Sequence, residues 1–82
     1  MGDRHVIEVE RGDAREAALA LAADGELVVL VASGDDLLAR AGDLARDVTA
    51  NGGRPVVFDG VTSDARDRAA IAELLAELDR RE

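Results

Sequence analysis

The hydrophobic pattern of the chain is dominated by one uninterrupted apolar run, Leu27–Ala32. Gly25 precedes this run and the polar segment Ser33–Asp36 follows it, so turn signals bound it on both sides. A short run rich in β-branched residues between turns predicts a strand that is buried on both faces. Such a strand needs cover above and below, which favours the centre of a parallel sheet between two layers of helices.

Alternation and turn signals predict two further strands. In His5–Glu10 the residues Val6, Glu8 and Glu10 share one face, and the opposite face is apolar. A partly charged face suits an edge strand, because charges discourage association of one sheet with another. The segment Arg54–Asp59 predicts the third strand, since a proline is tolerated at a strand's start.

Helix-spaced apolar residues fill the segments between and after these strands. The predicted helices span Ala14–Ala23, Asp36–Ala50 and Asp64–Arg80. The apolar stripes are Leu37, Ala41, Leu44 and Val48 in the second helix, and Ile71, Leu74, Leu75 and Leu78 in the third. Polar residues before the helices are predicted as N-caps, namely Asp13, Ser33–Asp36, Thr62, Ser63 and, among the loop carboxylates, Asp64.

The resulting order, βαβαβα, predicts an α/β fold with a three-stranded parallel sheet, because each crossover is right-handed. Two strand orders are possible, 1-2-3 and the flavodoxin-like 2-1-3. We expect 1-2-3, since the most apolar strand should be central. The first two helices then cover one face and the third covers the other. Residues 1–82 are expected to form a single three-layer, Rossmann-like (βα)₃ domain.

The charge balance narrows the classes of partner. The chain has 18 acidic residues against 10 basic ones, for a formal net charge of -8. An acidic surface repels phosphate backbones, so general nucleic-acid binding is not expected. Every basic residue is arginine, which is similar to the composition of proteins from salt-adapted or GC-rich organisms and to that of designed chains.

Composition also bears on compartment. The chain has no cysteine, hence no disulfide and no thiolate metal site. No apolar run approaches the ~18 residues of a membrane span, and the N-terminus lacks the core of a signal peptide. We therefore expect a soluble protein without a membrane partner, either cytoplasmic or recombinant with no native compartment.

Candidate chemistry gathers where the three strands end, because ligands of open parallel sheets bind there. Each loop leads into a helix N-terminus, which ordinarily favours an anion. These loops are acidic, however, so their carboxylates can occupy the free N–H groups and oppose a phosphate. N-capping is the favoured interpretation, and a Mg²⁺ or Ca²⁺ site formed by Glu10, Asp13 and Asp59 is the alternative.

The same loops supply an alternative nucleotide site, formed by Gly12, Ser33, Gly34 and Gly60. Turn geometry is the preferred reading of the glycines. Ser33 lacks the Gly-x-Ser-x-Gly flanks of a nucleophile elbow, and His5 has no nucleophile at recognisable spacing. No catalytic residue and no cofactor are therefore predicted.

Residues Ala17 to Leu78 resemble the first half of a short-chain dehydrogenase/reductase Rossmann domain. The matching segments are Ala17–Gly25, Val28–Ala32, Asn51–Arg54, Val61–Thr62 and Asp67–Arg68. They resemble that family's first helix, second strand, the turn before strand three, its Asp-Val-Thr segment and the following helix. The resemblance implies a similar fold.

The functional positions of that family are replaced. The family reads Thr-Gly-x-x-x-Gly-x-Gly after its first strand, whereas this chain has only Val9–Ala14. Gly60 stands where the family places its adenine-contacting Asp, and Ser33–Asp36 replaces the basic residues for an NADP phosphate. The family's catalytic Tyr and Lys are absent from this sequence. The resemblance therefore implies a cofactor-free unit similar to the structural subdomain of polyketide ketoreductases.

Glu10 and Asp59 are also placed similarly to the metal-binding acids of Toprim domains. That family has Asp-x-Asp after strand three, whereas Asp59 is followed two residues later by Val61. The second metal ligand is missing, so the family's nuclease or strand-transfer chemistry is not implied.

The function that these features favour is a small non-enzymatic structural domain, natural, engineered or de novo designed. The alternative is a nucleotide- or divalent-metal-binding fragment that acts at the carboxyl ends of the strands. A third class is an interaction module. The chain is then a monomer, or a homodimer that pairs through the edge strand Val6–Glu10.

Overall fold

Three strands and three helices alternate along residues 4–81, which are the residues that the computed structural model describes. They are β1 (Arg4–Glu8), α1 (Ala14–Ala23), β2 (Leu27–Ala32), α2 (Asp35–Ala50), β3 (Arg54–Asp59) and α3 (Ala65–Arg81). The predicted bounds of α1, β2 and β3 are confirmed. The helix α2 begins one residue earlier than predicted and ends as predicted, and α3 is displaced by one residue at both ends.

The first strand differs most from its prediction, because β1 ends at Glu8 and not at Glu10. The N–H of Arg11 donates to the carbonyl of Glu8 across 3.1 Å, and this turn bends the chain out of the sheet. Val9 still donates to the carbonyl of Val31 across 2.9 Å. Glu10 therefore lies in the turn after the sheet.

The sheet is parallel and its order is β1-β2-β3, as predicted. Val6 of β1 is level with Val29 of β2, which is level with Val56 of β3. All six residues of β2 are buried, so the most apolar strand is the central one. An α/β fold of the Rossmann-like (βα)₃ type follows.

The helices divide between the two faces of the sheet, as expected. Val28, Leu30 and Ala32 pack with α1 and α2, whereas Val29 and Val31 pack with α3. The apolar stripe predicted for α2 lies in the first cluster, and Ile71, Leu74 and Leu75 of α3 lie in the second. Among residues 4–81, no helix combines the length and apolarity that crossing a membrane requires.

Candidate site at the carboxyl ends of the strands

A shallow cleft lies where the three parallel strands end. It is lined by Glu8 at the end of β1, Glu10 in the turn that follows, Ser33 just after β2, and Gly60 and Thr62 in the loop between β3 and α3. Its volume is about 90 Å³, whereas pockets for drug-sized ligands span roughly 300–1,000 Å³. The cleft therefore has room for an ion or a few waters, and it is far smaller than a nucleotide site.

A side-chain hydrogen bond crosses this cleft. The hydroxyl of Thr62 donates to Oε1 of Glu8, and both side chains are partly buried. Glu8 is level with Val31, which is level with Phe58, so the bond passes over the end of β2 and joins β1 to the β3–α3 loop. The carboxylate at the centre of the candidate site is therefore already engaged by the protein.

The loop after β3 is held by its own backbone and acidic side chains. The N–H of Gly60 donates to the carbonyl of Ala32 across 2.9 Å, and the N–H of Val61 donates to Oδ2 of Asp67 across 2.7 Å. At the start of α3, Oδ1 of Asp64 accepts from the N–H of Arg66 across 2.8 Å. These N–H donors of the β3–α3 loop and of the start of α3 are thus taken by the chain's own acceptors.

Asp64, and not Thr62 or Ser63, therefore caps α3. An N-cap side chain accepts from the N–H two or three residues later, and Asp64 stands in that position relative to Arg66. Thr62 instead bonds Glu8. Of the capping residues predicted before α3, Asp64 is therefore confirmed, whereas Thr62 and Ser63 are wrong.

The caps predicted for the other two helices are wrong as side-chain caps. Asp13 has φ -97° and ψ 7°, which departs from the extended backbone of an N-cap, and its side chain makes no capping hydrogen bond. Its Oδ1 lies 3.4 Å from Nε of Arg11 instead.

At α2 the N-cap position belongs to Gly34, one residue after Ser33, and glycine has no side chain that could accept a hydrogen bond. Asp35 and Asp36 sit in the first turn, where the helix dipole favours carboxylates.

The three acidic residues predicted as an alternative metal site are all exposed. Within the described range 4–81, no three His, Cys, Asp or Glu side chains are grouped so as to hold a metal ion. The structure thus does not bring Glu10, Asp13 and Asp59 together in such a group. Of the residues predicted for a nucleotide, Ser33 and Gly60 line the cleft, and Gly12 and Gly34 are exposed in their loops.

A second polar pair, which was not predicted, lies at the opposite end of the sheet, where the strands begin. Nε2 of His5 lies 2.5 Å from Oε2 of Glu26, close to where β1 and β2 begin. The Nε2 atom is buried, and its contact with Glu26 does not meet the geometry of a hydrogen bond. The pair is separated from the cleft by the length of the strands.

A larger groove, of about 280 Å³, lies between α1 and α2. Val9 and Leu44 form its apolar floor, and Arg15, Arg40 and Asp43 stand around it. Arg15 pairs with Asp47 of α2. Charges of both signs therefore surround the groove, and they select neither an anion nor a cation.

Comparisons with known proteins add no relative. No protein-family model matches the chain, and no curated protein matches it. The resemblance to short-chain dehydrogenases and the weaker one to Toprim domains therefore stay predictions that rest on the sequence patterns alone.

Proposed function

We propose that this chain is a small non-enzymatic structural domain with a Rossmann-like fold. The observation that carries the proposal is the bonding at the carboxyl ends of the strands. There Thr62 bonds Glu8, and carboxylates of Asp64 and Asp67 accept N–H groups of the same loop and helix. Phosphate groups bind free N–H groups at helix N-termini, and at α3 such a group, that of Arg66, is occupied by the chain's own carboxylate.

Charge supports the same proposal. Glu8 and Glu10 line the cleft, and Asp35 and Asp36 open the neighbouring helix α2. Carboxylates that line or flank a cleft repel a phosphate group in it, because like charges interact more strongly near a protein surface than in bulk water. The cleft's small volume acts in the same direction, because a nucleotide would have to displace the Thr62–Glu8 bond to enter.

The alternative proposal, a nucleotide- or divalent-metal-binding fragment, draws support from two carboxylates on one cleft. Glu8 and Glu10 supply the hard oxygen ligands that Mg²⁺ and Ca²⁺ prefer. A cation there would neutralise part of the negative charge of these two carboxylates.

A ligand screen separates the two proposals. We would record the thermal midpoint and amide NMR shifts of the protein with NAD, NADP, ATP, Mg²⁺ and Ca²⁺, each added alone. A ligand at 100 times its Kd stabilises a protein by about 2.7 kcal/mol, and each kcal/mol raises the midpoint of a domain this small by roughly 4–8 °C. The structural proposal expects no such rise and no localised shifts.

A matched pair of variants makes any positive result interpretable. Glu10→Gln removes one carboxylate from the cleft, and Glu16→Gln removes one from exposed helix α1 outside it. Saturable metal-induced shifts that vanish in the first variant and persist in the second would replace the structural proposal with the metal-binding one. A nucleotide-induced rise in the midpoint would replace it with the nucleotide-binding one.

A further inference from the structure

The two outer strands of the sheet present similar valines but different backbone edges. Val6 at the middle of β1 is 40% exposed, and Val57 within β3 is 42% exposed. Within the described part of the chain, each of these strands pairs only with β2. The free edges therefore decide where a further strand can add.

The outward edge of β1 carries an open row of donors and acceptors. Val9 donates its N–H to Val31 of β2, and the backbone groups of alternate strand residues point to opposite sides. The N–H and C=O groups of Arg4, Val6 and Glu8 therefore point away from β2. The carbonyl of Glu8 already accepts from Arg11, so Val6 is the centre of the open row.

The outward edge of β3 is interrupted. The N–H groups of Arg54 and Gly60 donate to Glu26 and Ala32 beside β2, so the intervening odd-numbered residues face outward. One of these is Pro55, which has no N–H to donate. An added strand would lose a hydrogen bond at β3 that it would gain at β1.

We propose that a second copy of this chain adds to the β1 edge as an antiparallel strand, with the two Val6 residues facing each other. The two copies are then related by a two-fold axis that passes between the two Val6 residues and is perpendicular to the sheet, and together they form one six-stranded sheet. Each Val6 N–H then donates to the carbonyl of the other Val6, as in a hydrogen-bonded antiparallel pair. The proposal goes beyond the structural role, and its failure would leave the ligand screen unaffected.

Charge complementarity selects this register. With the valines opposite each other, residue 4, an arginine, stands opposite residue 8 of the second copy, a glutamate, and the reverse pair repeats on the other side of the axis. Moving the axis by two residues brings arginine opposite arginine or glutamate opposite glutamate. Opposite charges across an antiparallel pair stabilise it, and like charges destabilise it.

The face that carries Val6 has room for this contact. Val6 is on the same face as Val29, over which α3 packs, yet α3 leaves Val6 40% exposed. Pairing would place two such valines side by side and remove both from water. The most exposed apolar residue of β1 thus becomes the centre of the interface.

The first test measures mass by sedimentation equilibrium up to millimolar protein concentration. We expect the wild-type chain to reach twice the monomer mass. Val6→Pro removes the central outward N–H of β1, and Val57→Pro removes the matched outward N–H of β3. We expect the first variant to be monomeric and the second to dimerise as the wild type does. A monomeric wild type, or dimers that survive Val6→Pro and are lost with Val57→Pro, would overturn the proposal.

The second test addresses register, and it holds even if a proline variant fails to fold. Arg4→Glu and Glu8→Arg each place like charges opposite each other, so each should weaken dimerisation at least tenfold. The double variant restores opposite charges and should recover most of the loss. Thr62→Val is the control for Glu8→Arg, because it removes the same intrachain bond and should leave dimerisation unchanged. Single variants that dimerise like the wild type, or a double variant without recovery, would contradict the proposed register.

Discussion

The two faces of the sheet are covered unequally. Among the residues that the structure describes, the face under α1 and α2 buries nine in one cluster, whereas the face under α3 buries three, Val29, Val31 and Ile71. Val56 and Phe58 of β3 and Leu74 and Leu75 of α3 stay partly exposed on that second face. The same strand, β2, thus contributes buried residues to two cores of different size.

The difference follows from the number of helices and the size of their side chains. Strands lie about 4.8 Å apart, so a helix about 10 Å wide cannot cover all three strands. On the first face α1 approaches closely through small residues, Ala14, Ala18 and Ala22, all of them buried. On the second face α3 packs over β2 and β3 and leaves Val6 of β1 exposed. We infer that the first face supplies most of the free energy of folding.

The test with the largest expected effect on stability truncates one leucine on each face of the sheet. Leu30 is fully buried under α1 and α2, and Leu75 of α3 is partly exposed. Leu30→Ala should lower the free energy of unfolding by about 3–5 kcal/mol, and Leu75→Ala by roughly 1–2 kcal/mol, since water already reaches part of that side chain. Urea unfolding followed by circular dichroism measures both.

The total stability of the domain determines whether each of these variants remains folded without denaturant. A domain of this length is stabilised by roughly 4–12 kcal/mol, from about 0.05–0.15 kcal/mol per residue. Leu30→Ala can therefore leave the chain partly unfolded without denaturant, whereas Leu75→Ala should stay folded. Equal losses in the two variants would show that the faces contribute equally.

A second test adds a methyl group to each face. A Cβ at Gly53 would lie 2.7 Å from Cα of Ala22 and 2.8 Å from Cγ1 of Val48, so Gly53→Ala requires α1 to move. A Cβ at Gly60 would meet side chains and not backbone, those of Phe58 and Asp67, so side-chain movement can relieve the clash at the expense of the Val61–Asp67 hydrogen bond. We expect Gly53→Ala to cost about 2–3 kcal/mol and Gly60→Ala about 1 kcal/mol. Chemical denaturation gives both, and the reverse ranking would mean that the second face is the less adaptable one.

A third test compares helix starts. Asp64 accepts from the N–H of Arg66 at the start of α3, whereas Asp13 makes no capping hydrogen bond at the start of α1. Asp64→Ala should cost about 1 kcal/mol, and Asp13→Ala should stay within about 0.5 kcal/mol of the wild type. Thermal unfolding monitored by circular dichroism measures the two.

Hydrogen exchange localises the effect of that cap. Because α3 is held by few buried contacts, loss of Asp64 should speed exchange of the first amides of α3 and leave those of α1 unchanged. A uniform increase along the whole chain would mean that α3 unfolds only together with the rest of the domain.

Most of the fold was predictable because each element carries its own local signal. The apolar run Leu27–Ala32 fixed the central strand, the Glu-bearing first strand fixed an edge, and the stripes of α2 and α3 identified the two layers of helices. These signals span only a few residues, and packing of the sheet agrees with all of them.

The polar contacts of the candidate site were less predictable, because they depend on residues far apart in the chain. Thr62 and Glu8 are 54 positions apart, and only the complete sheet brings them together at the carboxyl ends of the strands. Glu26 meets His5 for the same reason. At Asp13 the residue type fits a cap but the backbone angles do not, and sequence alone does not give those angles.

The smallest expected effect is a stabilisation, and it concerns a glycine of α2, one of the two helices that cover the first face. Gly42 stands inside α2, and a Cβ built there meets no atom within 4 Å. Alanine has the higher helix propensity, so Gly42→Ala should raise the free energy of unfolding by about 0.5–1 kcal/mol. The exposed Ala39 of the same helix is the matched control, because Ala39→Gly should lower it by a similar amount. Urea midpoints that move in opposite directions would place the cost of Gly42 in backbone entropy, whereas destabilisation by Gly42→Ala would mean that the α1–α2 layer needs a residue without a side chain there.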